Sequence, residues 1–138
     1  KDLFDFITVN FANADMVAHT GDLKATVKGC EVVDTCLGKI AEHVLASHGV
    51  LIITADHGNG EELVNLQTGE RDKEHSTNPV PLIIIGDDYH GQAGPAGDPP
   101  DGDLSLLQPV GMLADVAPTV LKILGIEQPK EMTGRALI

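Results

Sequence analysis

Val50-Leu51-Ile52-Ile53-Thr54-Ala55-Asp56-His57-Gly58-Asn59-Gly60 is the stretch that decides the fold. Its first six residues form a short, almost wholly apolar run, the pattern of a parallel strand buried on both faces. The next residues change character at once, to an acid, an imidazole and a Gly-Asn-Gly turn. An open α/β sheet holds its ligand in loops of this kind, just beyond the strand ends. Burying Asp56 and His57 at the end of an Ile-rich strand is costly without a partner. Neighbours leaving a strand point in different directions, so both reach one site only if the chain turns sharply, which Gly58, Asn59 and Gly60 permit. The competing reading makes Asp56 a helix N-cap with His57 merely beside it.

The flanking segments supply the rest of the sheet. In residues 23–47 the positions Leu23, Val27, Cys30, Val33, Leu37, Ile40, Val44 and Leu45 recur at helical spacing, and Gly49 stands just beyond as a stop signal. Residues 4–10, rich in β-branched and aromatic side chains, read as a strand before that helix. Residues 79–85 read as another, with Pro79 and Pro81 near its start, where they cost least. Strand, helix, strand, connection and strand make a parallel α/β sheet the expected architecture. Residues 112–124 form a second amphipathic helix, in which Asp115 and Pro118 suit a first turn and Gly125 a stop. The tail, residues 128–138, is expected to pack along the domain surface. Residues 86–103 hold five Gly, three Pro and five Asp and read as an irregular excursion. Their acids do not follow the EF-hand order, which sets calcium aside.

Composition limits what such a chain can do. Its 138 residues are about one domain, and 42% of them are hydrophobic, so it is not a disordered segment. A formal net charge of −12 argues against nucleic acid or an anionic membrane as partner. An anionic substrate remains accessible if metal ions supply positive charge locally. No apolar run approaches the roughly 18 to 20 residues of a membrane span, and no signal peptide is read. The chain opens on Lys1 and enters an apolar run directly, as a piece of a longer protein would. Cys30 and Cys36 lie on different faces of the long helix and are expected to stay unpaired, as in a reducing compartment.

Five residues carry the chemistry. Asp15 and His19 are four apart and share a face if their turn is helical. Alone, they read as a weak surface ion pair. Asp56 and His57 follow the buried run, and His75 precedes the last strand. His75 alone would be an ordinary loop residue, as would His43, His48 and His90. Together, three imidazoles and two carboxylates suit a borderline-to-hard divalent ion such as Mn²⁺, Zn²⁺, Co²⁺ or Mg²⁺, and can complete one site or supply most of two. No HExxH, Cys cluster, Walker loop or Gly-x-Ser-x-Gly elbow competes with this reading.

Residues 9–21 (Val-Asn-Phe-Ala-Asn-Ala-Asp-Met-Val-Ala-His-Thr-Gly), 54–61 (Thr-Ala-Asp-His-Gly-Asn-Gly-Glu) and 75–81 (His-Ser-Thr-Asn-Pro-Val-Pro) closely resemble the cofactor-independent phosphoglycerate mutases. So do residues 113–119 and 129–134. The Asp-His-Gly signature is shared across the alkaline phosphatase superfamily, whereas the first segment is more specific. Ala14 stands where Pro is usual and Ser76 where Thr is; Ala18 and Gly60 replace other small residues, and none of these is a ligand position.

The resemblance implies an alkaline-phosphatase-like three-layer α/β/α fold with a mostly parallel sheet, present only in part. Residues 1–138 would be the C-terminal segment of a metal-binding phosphatase-like domain. It implies a cytoplasmic isomerase that interconverts 3-phosphoglycerate and 2-phosphoglycerate through a phosphoserine, in glycolysis and gluconeogenesis. Two divalent ions, usually manganese, would be held by Asp15, His19 and His75 and by Asp56 and His57. The nucleophilic serine and the substrate-gripping residues would lie outside the chain, so the 138 residues alone are expected to be inactive. The whole enzyme is expected to be monomeric, and the isolated segment, with a bared sheet edge or apolar face, is open to self-association. Two other readings stand beside this one: a different phosphomutase or phosphodiesterase of the same superfamily, and a non-catalytic metal-binding module.

Overall fold

The structure is a computed structural model that describes residues 3–65, 67–95, 97, 101, 103 and 106–138. The chain divides into two compact units, Lys1–Asp87 and Asp88–Ile138.

In the first unit, α1 (Asn13–Ala18) packs on α2 (Leu23–Ala46), followed by β1 (Leu51–Thr54) and β2 (Leu82–Ile85). The long helix starts where its cap chemistry sets it. Asp22 has an extended backbone, and its carboxylate accepts the Ala25 N–H at 3.0 Å. At the other end His48, with φ 54°, takes the left-handed position, and the Gly49 N–H closes on the Val44 carbonyl at 2.9 Å. Gly49 therefore follows the left-handed residue instead of supplying it. Gly29 faces α1, where a Cβ would stand in ordinary contact with Ala14 Cα and Asn13 O at 3.8 Å. Ala18 and Thr26 are buried at this contact. The N-terminal half of α2 thus anchors the helix that carries Asp15.

The strand expected over residues 4–10 does not form. Phe4, Phe6, Ile7 and Val9 are exposed, and no described strand pairs with that segment. Strand structure is made between segments, so β propensity without a partner ladder leaves irregular chain. The two strands among the described residues pair antiparallel, with Leu51 opposite Ile85 and Thr54 opposite Leu82. This corrects the parallel pairing expected between them. Among the described residues of 55–81 there is no helix to carry the chain back across the sheet, so β2 returns alongside β1 from the same end. With only one neighbour each, Leu51, Ile52 and Ile53 are half-buried instead of sealed on both faces.

Within residues 55–81 the chain makes a small ladder in which Val64 bridges Arg71 and the Asp72 N–H donates to the Leu63 carbonyl at 3.0 Å. That excursion returns the chain to His75. A 3₁₀ turn, Asp87–Tyr89, occupies the start of the expected irregular segment; residues 96, 98–100 and 102 of it lie outside the described residues.

The second unit is built on a 3₁₀ turn, Leu113–Asp115, leading into α3 (Val116–Ile123). Asp115 begins it as expected: its carboxylate accepts the Met112 N–H at 2.9 Å and the Arg135 N–H at 2.8 Å. Pro118 lies in the first turn, where its missing N–H costs no helical bond. Gly125, at φ 67°, ends the helix. The tail packs back on it as expected: the buried Thr119 hydroxyl donates to the Asp115 carbonyl at 2.7 Å and accepts the Leu137 N–H at 3.1 Å. Cys30 and Cys36 are both free. Among the described residues no helix is long and apolar enough to cross a membrane.

Candidate metal centre

Three ligand-type atoms converge at the end of β1. Asp15 Oδ1 lies 3.4 Å from His19 Nε2 and 3.4 Å from His75 Nε2, and the two imidazole nitrogens are 3.2 Å apart. Atoms bonded to one ion at about 2.1 Å stand about 3.0 Å apart at right angles and about 3.4 Å apart in a tetrahedron. The observed triangle has that spacing. His57 joins the group, offering a ring nitrogen that lies with the Asp15 and His75 ligand atoms inside a 4.8 Å span. Its ring stacks on His75 with centroids 3.7 Å apart and planes 17° apart.

Three segments supply the members. Asp15 and His19 stand one turn apart, on α1 and at its C-cap, so the helical reading of their spacing holds. His19 Nδ1 meets the Lys73 carbonyl at 2.6 Å. A carbonyl can only accept, so Nδ1 carries the proton, and in the neutral ring Nε2 presents its lone pair to the cluster. The Lys73 carbonyl thereby also ties the 71–75 segment to α1. Three crowded imidazoles and a carboxylate with a lone pair turned inward form a donor set suited to a divalent cation.

Asp15 is held ready as an anion. The Asn59 side-chain amide donates to Oδ1 at 2.7 Å and is the main reason its carboxyl stays below the usual range. Burial opposes this, and the nearby His19, His75 and His57 rings reinforce it. Asn59 is only 4% exposed, and with its amide nitrogen committed to Asp15 its Oδ1 is buried without a hydrogen-bond partner among the described residues.

Asp56 departs from the group. Its carboxylate is 85% exposed and stands 3.6 Å from His57 Nε2. Asp56 and His57 meet at that distance, with His57 turned to Asp15 and His75 and the Asp56 carboxylate on the solvent side of the pair. His43 and His48 lie outside the cluster; His48 pairs with Asp87 at 2.7 Å.

Sequence reading passed over the residues that fasten this arrangement. Glu61 accepts the Ser76 hydroxyl and, at 3.0 Å, the Asn78 amide on Oε1, and the Asn59 backbone N–H at 2.8 Å on Oε2. Burial pushes its carboxyl up, but these hydrogen bonds outweigh that and hold it below the usual range. The chain does bend and turn over residues 56–61, without a positive φ at Gly58 or Gly60. Gly58 is needed for close approach: a Cβ there would collide with Glu61 Oε1 and Ser76 Oγ. The one available signal was an amide set between two glycines directly after a ligand pair.

A family model described as the metalloenzyme superfamily matches residues 1–128. The chain is 44% identical over 138 residues to a 2,3-bisphosphoglycerate-independent phosphoglycerate mutase of Clostridioides difficile. It is 48% identical over the same length to one from Acetivibrio thermocellus. All of this chain is covered in both cases, but only 24% of each relative, so it spans about a quarter of their length. A crystal structure of Leishmania mexicana phosphoglycerate mutase at low cobalt concentration superposes with a TM-score of 0.70 at 36% identity, over 93% of this chain and 24% of that one. The fold is accordingly alkaline-phosphatase-like and present in part, with helices and a small sheet.

Proposed function

The chain belongs to the metalloenzyme superfamily, and on that premise we propose that it is the metal-binding C-terminal segment of a cofactor-independent phosphoglycerate mutase. The observation that carries the proposal is the triangle of Asp15 Oδ1, His19 Nε2 and His75 Nε2, with edges of 3.2 to 3.4 Å, in a chain 44 to 48% identical to such mutases. Its whole reaction would be the interconversion of 3-phosphoglycerate and 2-phosphoglycerate, in the cytoplasm, by a monomeric enzyme.

Asp15, His19 and His75 would hold one divalent ion, manganese by preference. His57 and Asp56, whose Nε2 and Oδ1 stand 3.6 Å apart, would hold a second. When bound, such ions neutralise phosphoryl oxygens and lower the pKa of a hydroxyl nucleophile. The chain's own residues prepare for this. Asn59 keeps Asp15 anionic, the Lys73 carbonyl fixes the His19 tautomer, and the net charge of −12 draws cations toward the site. The serine that takes the phosphate is assigned to a part of the protein outside these 138 residues, so the isolated chain should not turn over substrate.

The test is an assay of the full-length protein with 3-phosphoglycerate and Mn²⁺, without 2,3-bisphosphoglycerate, run with and without chelator beside the 138-residue chain. Chelator-sensitive mutase activity in the full-length protein alone is the expected result. A metal-loaded full-length protein that leaves phosphoglycerate untouched would shift the assignment to another phosphomutase or phosphodiesterase of the superfamily.

A further inference from the structure

The two segments that bring His57 and His75 together are joined by little backbone structure. Among the described residues the backbone link between them is the Gly58–Ser76 bridge, through the Ser76 N–H and the Gly58 carbonyl at 2.8 Å. Two neighbouring carboxylates reach across the same gap: Glu62 Oε2 takes only the Asn78 amide, at 3.2 Å, whereas Glu61 takes donors from both sides. Glu61 Oε1 takes the Ser76 hydroxyl and the Asn78 amide from the His75 side. Glu61 Oε2 takes the Asn59 N–H from the His57 side, at 2.8 Å, and the side chain of that same Asn59 holds Asp15. We propose that Glu61 is a positioning residue that locks these two loops in register and so sets the affinity of the centre for a divalent cation.

Two competing roles for Glu61 fit less well. A solvated surface acid would pair with water or with a Lys or Arg, yet among the described residues its carboxylate meets neutral donors from both loops. A metal ligand would turn an oxygen to the cluster, but Glu61 is no member of the Asp15–His57–His75 group, and its two oxygens are taken up by donors from the two loops. The absent Cβ of Gly58 belongs to the same contact. The chain leaves that space open at the one point where Glu61 and Ser76 meet, and any side chain there would push them apart.

The proposal rests on the cluster being a cation site, and the test separates the two claims. Co²⁺ alone is titrated into the full-length protein, followed by visible absorption and calorimetry, for wild type, Glu61→Gln, Ser76→Ala and the double variant. Far-UV circular dichroism establishes that each is folded. Glu61→Gln should raise the Kd for Co²⁺ by roughly 10- to 100-fold, as loss of outer supports to metal ligands does. Ser76→Ala should weaken binding less, and the double variant should be no worse than Glu61→Gln, because both act through one latch. Should Glu61→Gln fail to fold, Ser76→Ala decides by the same readout. Folded variants with wild-type Co²⁺ affinity, or fully additive losses, would overturn the latch. A wild-type protein that takes up no Co²⁺ would overturn the cation site itself.

Discussion

Asp56 and Asp15 show how differently two carboxylates of one site can be prepared. Asp15 is fixed by an amide and faced by three imidazoles, whereas Asp56 projects into solvent. If the two ions are held as proposed, Asp56→Ala should remove one equivalent of bound Mn²⁺ and leave the other, as counted by metal analysis after gel filtration. His19→Ala should abolish the ion held by Asp15. Loss of both equivalents on Asp56→Ala would mean that the centre is a single unit. Thr119 gives a residue-scale prediction about stability. It is fully buried, and its hydroxyl serves one donor and one acceptor. Thr119→Val keeps the shape but leaves the Leu137 N–H unpaired, which should cost about 2 kcal/mol in urea unfolding.

At the scale of elements, the start and end of α3 can be tested separately. Asp115 sits at its start with its carboxyl held below the ordinary value near 3.8, first by the Arg135 N–H and then by the Met112 N–H, with burial opposing. A carboxyl depressed on folding contributes stability above its unfolded pKa and loses it as pH falls through the folded one. The thermal midpoint should therefore drop on acidification below about pH 4, the unfolded carboxylate range, and Asp115→Asn should flatten that drop. At the other end, Gly125 is left-handed and a Cβ there would meet nothing within 4 Å. Gly125→Ala should thus cost about 1 kcal/mol from the backbone alone.

Elements also show where sequence was enough. Helix α2 was legible because its apolar residues repeat at helical spacing and Gly49 stands just past its end, both local properties. The Asp15–His19 face followed from the same helical period. Strand pairing was not legible, because residues 4–10 and 79–85 carry equal β character and only a neighbour decides whether a ladder forms, and in which direction. The fastening of the site by Asn59 and Glu61 was hidden for a related reason. Their partners, Asp15 and Ser76, lie 44 and 15 residues away in the chain.

At the scale of the whole molecule, the apolar side chains of Phe4, Phe6, Ile7 and Val9 are left exposed. The chain also matches only about a quarter of the length of its relatives. Apolar surface of this kind promotes association. The isolated 138-residue chain should therefore self-associate with rising concentration, and light scattering that finds only monomer at high concentration would count against this.

The central claim is that Asp15, His19 and His75 grip one divalent ion. Anomalous diffraction from crystals of the full-length protein soaked in Mn²⁺ or Co²⁺, recorded at the metal's absorption edge, tests it most directly. The account predicts a peak about 2.1 Å from Asp15 Oδ1, His19 Nε2 and His75 Nε2 together, with a second beside His57 and Asp56. A metal-loaded crystal with no peak between those three atoms would contradict it.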